Sequence, residues 1–209
     1  MRKGLKPGTW DVLAPLSNGD FVRLWLANGL WWQAMWIEMM VLGWLALELT
    51  DSPWWVQVIG FYRSIPLLLI GLFGSAITDR FKRRHLVLTL QAANVVAALS
   101  LALLLWSGNL KFWHLSVVAL AMGSTWALDW PTRRSMIPDL VGKAQTVDAM
   151  VLENFIQGFT RISGPLAAGY IMAVYGNLGA LIILVGLGLL SLLSLSGLKT
   201  DSQAPIKRV

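Results

Sequence analysis

Six apolar runs, each of about twenty residues or more, dominate this chain and leave it few folds to adopt. They cover 22–47, 54–77, 86–106, 112–130, 147–174 and 178–198, each bounded by turn or charge signals. About 20 helical residues cross the hydrocarbon core of a bilayer, and strands of that length are uncommon, so the runs predict six membrane-spanning helices. Composition agrees, with 56% apolar and 13% charged residues, where a soluble domain carries charge at about a quarter of its positions. The predicted organisation is a tail at 1–20, a transmembrane bundle at 21–198 and a second tail at 199–209, and the 209 residues hold six spans and not twelve.

The start, MRKGLK, is basic like the first region of a signal peptide, but the apolar run that follows begins only at Phe21 and is far too long for a secretory leader. It reads as an uncleaved first span. Basic residues then fix the orientation, because loops rich in Lys and Arg stay on the cytoplasmic side. With the N-terminus inside, fourteen of them fall in cytoplasmic segments and only Lys111 falls outside. Both termini are therefore predicted cytoplasmic. Trp44, Trp54, Trp55, Trp106 and Trp113 are placed at the outer interface and Trp25 and Trp130 at the inner one, as anchors at the headgroup level.

Several function classes drop out. A net charge of +6 could suggest nucleic acid, but here the basic residues punctuate apolar runs and form no patch, so no nucleic-acid partner is expected. Cysteine is absent, which removes thiolate metal sites and a cysteine nucleophile. His85 and His114 stand at opposite ends of one apolar run and in no metal-ligand spacing. No Gly-x-x-x-x-Gly-Lys-Ser/Thr loop exists to cradle nucleotide phosphates, and Ser163-Gly164 lacks the glycine and the central histidine of an intramembrane protease. The chain is not expected to be an enzyme, and no cofactor or metal is expected.

Ionisable residues inside spans are the main functional signal, since an unpaired charge at the bilayer centre costs at least about 2.5 kcal/mol. Glu38, Arg63 and Arg161 lie well inside their spans. Glu38 and Arg63 fall at similar depth on consecutive antiparallel helices and could neutralise each other. Trp31, Met35, Glu38 and Leu42 share one helix face, which would carry Trp31 toward a central cavity; the competing reading has Trp31, Trp32 and Trp36 meeting lipid. Asp129, Arg133 and Glu153 are placed near the cytoplasmic face, where solvated ion pairs are the ordinary outcome, with Glu153 kept as a coupling candidate. In the fifth span Asn154, Gln157, Arg161, Gly164 and Ala168 recur at helical spacing and form one stripe. The stripe is either a helix-packing face or part of an interface that moves.

The second and third spans are joined by Gly74-Ser75-Ala76-Ile77-Thr78-Asp79-Arg80-Phe81-Lys82-Arg83-Arg84. This loop resembles the signature loop of the major facilitator superfamily, with Asp79, Arg80, Arg83 and Arg84 on matching positions and Ser75 and Lys82 where glycines are usual. The resemblance implies a gating loop that latches the cytoplasmic side against a second six-helix half. Pro131, Arg133, Ile137-Pro138-Asp139-Leu140-Val141, Ala149, Asn154 and Arg161-Ile162-Ser163-Gly164-Pro165-Leu166-Ala167-Ala168-Gly169, together with Leu49-Thr50, Ser52-Pro53 and Pro66, are similar to the bacterial siderophore and multidrug exporter branch. Gly164, Pro165 and Gly169 also resemble the superfamily's antiporter motif.

What the resemblance implies is an all-α membrane protein of six transmembrane helices arranged as two inverted three-helix repeats, half of a twelve-helix transporter fold. The implied activity is secondary active transport in the bacterial inner membrane, as proton-coupled efflux of a small amphipathic compound such as a drug or siderophore. Beyond lipid and substrate, the expected partner is a second six-helix half or a second copy of this chain. The alternative is a non-transporting fragment or membrane scaffold that needs that second half. Substrate and coupling candidates are Glu38, Arg63, Glu153, Asn154, Arg161 and Trp31.

Overall fold

A computed structural model describes residues 11–71 and 82–198. A short 3-10 helix, Asp11–Ser17, leads into helix α1, Gly19–Thr50. Asn18 caps α1, its side-chain oxygen accepting from the amides of Asp20 and Phe21 at 3.0 and 3.1 Å, which satisfies two of the free donors of the first turn. Asp51 closes the helix in the left-handed conformation. Helix α2 follows as Pro53–Gly71 and α3 as Arg83–Trp106.

The remaining helical trace, Phe112–Ser196, breaks at Gly142 and Gly176, whose φ values of 74° and 68° suit glycine far better than any other residue. It divides into α4 (112–141), α5 (143–175) and α6 (177–196). All three pass the same level of α1: Asn28 bonds Arg133 of α4 and Glu153 of α5, while Ser191 of α6 donates to the Ala27 carbonyl. The pairs Trp25–Leu152 and Gln33–Ser163 make α5 parallel to α1, whereas Arg23–Ser194 and Glu48–Asn177 make α6 antiparallel. Among the described residues the ordered structure is helical throughout, and three helical traces are long and apolar enough to cross a membrane: Gly19–Thr50, Arg83–Trp106 and Phe112–Ser196.

One expectation needs correction. The stretch between the fourth and fifth apolar runs, left outside the expected spans, is helical up to Gly142 and again beyond it. Pro131 and Pro138 remove two backbone donors, at about 3 kcal/mol each in a helix interior. Against this, Met136, Ile137 and Leu140 are buried among Phe21, Leu24, Ala149 and Leu152, and each buried aliphatic side chain contributes about 1.5–3 kcal/mol in an aqueous setting. For the three side chains that is about 4.5–9 kcal/mol, of the size needed to offset a proline penalty of about 6 kcal/mol.

Two apolar clusters hold the ends of the bundle, one around Leu45, Ile59, Leu115 and Leu181 and the other around Phe21, Met136, Ala149 and Leu195. Between them lies a third, made of Trp31, Trp32 and Met35 with Trp36, Trp126 and Trp130 around it. Close backbone approach brings the helices together in pairs. A Cβ on Gly164 of α5 would meet the Trp36 Cβ of α1 at 2.5 Å, one on Gly188 of α6 would meet Val95 of α3 at 2.7 Å, and one on Gly123 of α4 would strike the Arg63 carbonyl of α2. Gly169 plays no such part, because a Cβ there would meet nothing within 4 Å. Among the described residues it lies on the outward side of α5, while Gly164 and Ala168 face inward.

Candidate functional site

Arg133 is the centre of a buried polar cluster that joins five helices. Its Nε donates to Asp129 Oδ1 at 2.9 Å, one turn back on α4. One terminal nitrogen donates to Asn28 Oδ1 on α1 at 3.1 Å and the other to Gln91 Oε1 on α3 at 2.9 Å. Asn28 in turn donates to Glu153 Oε2 on α5 at 3.0 Å, and Gln91 donates to the Gly188 carbonyl on α6 at 3.2 Å. The guanidinium also lies 5.1 Å from the Trp31 ring centroid, within cation–π range. Arg133 is 2% exposed and Asp129 0%.

The sequence placed Asp129, Arg133 and Glu153 in solvated pairs at the cytoplasmic face, and the structure buries all three. The reason is the continuation of α4 past Trp130, which encloses Arg133 between α1 and α3. Trp130, expected as an interfacial anchor, instead packs at 6.5 Å from Trp32 and 6.4 Å from Trp126. Trp31 and Trp32 are buried, against the reading that had them facing lipid. The five tryptophans assigned to the outer interface are all exposed on the bundle surface.

A second charged pair stands further along α1. Glu38 accepts from the Arg63 guanidinium, with both groups buried. Both residues line a small space of about 40 Å³, bordered also by Trp31, Gln91, Asn94 and Gly188, and Arg63 lines an open cleft of about 910 Å³ as well. Trp32, Trp36, Trp126 and Trp130 wall the cleft, and Asn154, Gln157 and Arg161 enter it from α5. The stripe read in the fifth span thus divides: its first three residues line the cleft, and Gly164 and Ala168 pack against neighbouring helices. Pro165, beside Gly164, lies within helical α5 and is half-buried.

Of the gating-loop residues, Asp79 and Arg80 lie outside the described residues. Arg83 bonds Asp139 at 2.8 Å and the Ser135 carbonyl at 3.0 Å, both on α4, and Arg84 donates to the Ser196 carbonyl of α6 at 2.8 Å. These two arginines therefore tie α3 to α4 and α6 within the chain. Asn28, Gln91, and the pair Thr125–Asn94 at 2.6 Å were missed as site residues. Their one signal was a polar side chain amid an apolar run, which cannot by itself separate a cluster member from a residue bonded to its own helix.

Comparison with known proteins accords with this geometry. The family model described as transmembrane secretion effector matches residues 10–204. A "Staphyloferrin A transporter" of Staphylococcus aureus (strain NCTC 8325 / PS 47) is 30% identical over 141 residues, covering 67% of this chain and 36% of that protein. The chain thus spans well under two thirds of that relative's length. With a match over nearly the whole sequence to an all-helical transporter family, this chain belongs to the major facilitator superfamily, in its transmembrane secretion effector family.

Proposed function

We propose that the chain forms a six-span half of a secondary active transporter and exports a small amphipathic compound, a drug or a siderophore, in exchange for protons. On this reading α1 to α6 each cross the inner membrane once, both termini are cytoplasmic, and a second six-helix half or a second copy completes the path. The helix pairing supports two inverted repeats of three helices. Exchanging α1 with α4, α2 with α5 and α3 with α6 converts the close pair α1–α5 into α4–α2 and leaves α3–α6 unchanged, as a two-fold relation requires. The siderophore named for the staphylococcal relative supports the substrate class. The loop holding Asp79, Arg80, Arg83 and Arg84 is the proposed cytoplasmic latch.

The observation that carries proton coupling is the charge count of the buried cluster. Asp129 bonds the Arg133 guanidinium directly and Glu153 reaches it through Asn28, while Arg134, the other cation near Glu153, is turned outward to Asn154, and Asp129 Oδ2 has no hydrogen-bond partner among the described residues. With both acids ionised the cluster carries one excess negative charge, and one bound proton makes it neutral. Glu153 reaches Arg133 only through Asn28, so it is the member best able to gain and lose that proton as α5 moves against α1.

In vesicles under an imposed pH gradient, Glu153→Gln is expected to lower proton-driven transport by about tenfold or more while leaving substrate exchange without a gradient near the unaltered level. Glu38→Gln, which lies outside the cluster, is expected to keep the pH dependence of the unaltered chain. An unchanged response to pH in Glu153→Gln would remove this acid as the proton carrier.

A further inference from the structure

The large cleft carries positive charge and, among the described residues, no carboxylate in its lining. Its charged lining residues are Arg63 and Arg161. Glu38 neutralises Arg63, which leaves Arg161 as the uncompensated charge, exposed and with no ion pair or hydrogen bond among the described residues. At that position midway along α5 an arginine facing hydrocarbon would cost at least about 2.5 kcal/mol. The polar side chains Gln57, Ser64, Asn154 and Gln157 share the cleft with it, so it faces a polar space and not lipid alone.

Gln57, Ser64 and Gln157 can both donate and accept, whereas a guanidinium can only donate. Arg161 is therefore the one uncompensated charged group of the cleft among the described residues, set between aromatic faces that suit a planar body.

We infer that the cleft selects an anionic amphiphile, an organic carboxylate carrying a planar apolar group, with Arg161 as the carboxylate seat. This rests on the transport reading and names its substrate class. Arg161 holds the carboxylate through its two-pronged edge, Gln157 one turn back adds a neutral donor, and the tryptophans cover the planar group. A cationic amphiphile would meet Arg161 with like charge and find no free acid in the cleft.

The test uses the full chain in phosphatidylcholine nanodiscs with two radiolabelled probes of equal size and opposite charge, 2-naphthoate and 2-naphthylmethylammonium. Binding is measured by equilibrium dialysis against empty nanodiscs. The naphthoate is expected to bind at least about tenfold tighter than the ammonium, as a charge-assisted bond to arginine supplies. Arg161→Gln is expected to erase that preference and Arg161→Lys to keep part of it, with the thermal transition of both variants unchanged because Arg161 is unpaired. Equal or tighter binding of the ammonium, or a naphthoate affinity indifferent to Arg161→Gln, would overturn the anion assignment and leave the transport reading standing. Binding of neither probe would overturn both.

Discussion

Replacing Arg133 with methionine is expected to lower the stability of the bundle by about 3–5 kcal/mol, the usual consequence of removing one partner from a buried charged group. Arg133 supplies the hydrogen bonds of Asp129 Oδ1, Asn28 Oδ1 and Gln91 Oε1, so its loss leaves an acid and two amide oxygens without those donors. The same change opens the contact among α1, α3 and α4 at one level of the bundle. Unfolding of the purified chain in mixed micelles, followed by circular dichroism, measures the effect. A double variant, Asp129→Asn with Arg133→Met, is expected to recover a substantial part of the loss, since it removes the charge that the single change strands. If Arg133→Met unfolds with the midpoint of the unaltered chain, the cluster is not what holds the five helices together.

Arg63→Gln is expected to produce a loss of similar origin, about 3 kcal/mol, by leaving Glu38 buried without its cation. The effect differs in kind because this pair joins α1 and α2 only and borders the cleft. The double variant Glu38→Gln with Arg63→Gln keeps two neutral partners at the same places and is expected to return to within about 1 kcal/mol of the unaltered chain, the scale of a neutral hydrogen bond. The same unfolding measurement checks it. A double variant no more stable than Arg63→Gln alone would show that the guanidinium acts through packing and not through its charge.

The long helices and the facing of Glu38 and Arg63 were legible because both depend on positions along one or two consecutive apolar runs. Depth in a span follows from counting residues, and antiparallel neighbours bring equal depths together. The cluster around Arg133 was not legible for the opposite reason. It draws on α1, α3, α4, α5 and α6, and its burial depends on α4 continuing through Pro131, where local signals favour a stop. Trp130 was misplaced by the same cause, since the end of an apolar run was taken as the membrane edge. The stripe on α5 was visible as a stripe, but which of its members pack and which line a cleft follows from the position of Trp36 on another helix. Gly169 shares the motif of Gly164, yet only Gly164 meets a neighbour.

The chain contains no cysteine, so single cysteines can be introduced without first removing any, and the side of the membrane on which each connection lies can be read from labelling. Cysteines placed singly at Ser52, Ser107 and Asn177, between the helices of three successive pairs, are expected to react with an impermeant maleimide in intact cells. Cysteines at Asn18, Lys82 and Lys143 are expected to react only after permeabilisation. A cysteine at Ser196, at the C-terminal end of α6, is likewise expected to react only after permeabilisation, and that complete alternation requires six crossings with both ends of the bundle inside. Labelling of Lys143→Cys in intact cells, or protection of Asn177→Cys there, would mean that the trace from Phe112 to Ser196 does not cross the membrane three times, and would contradict the six-span transporter half.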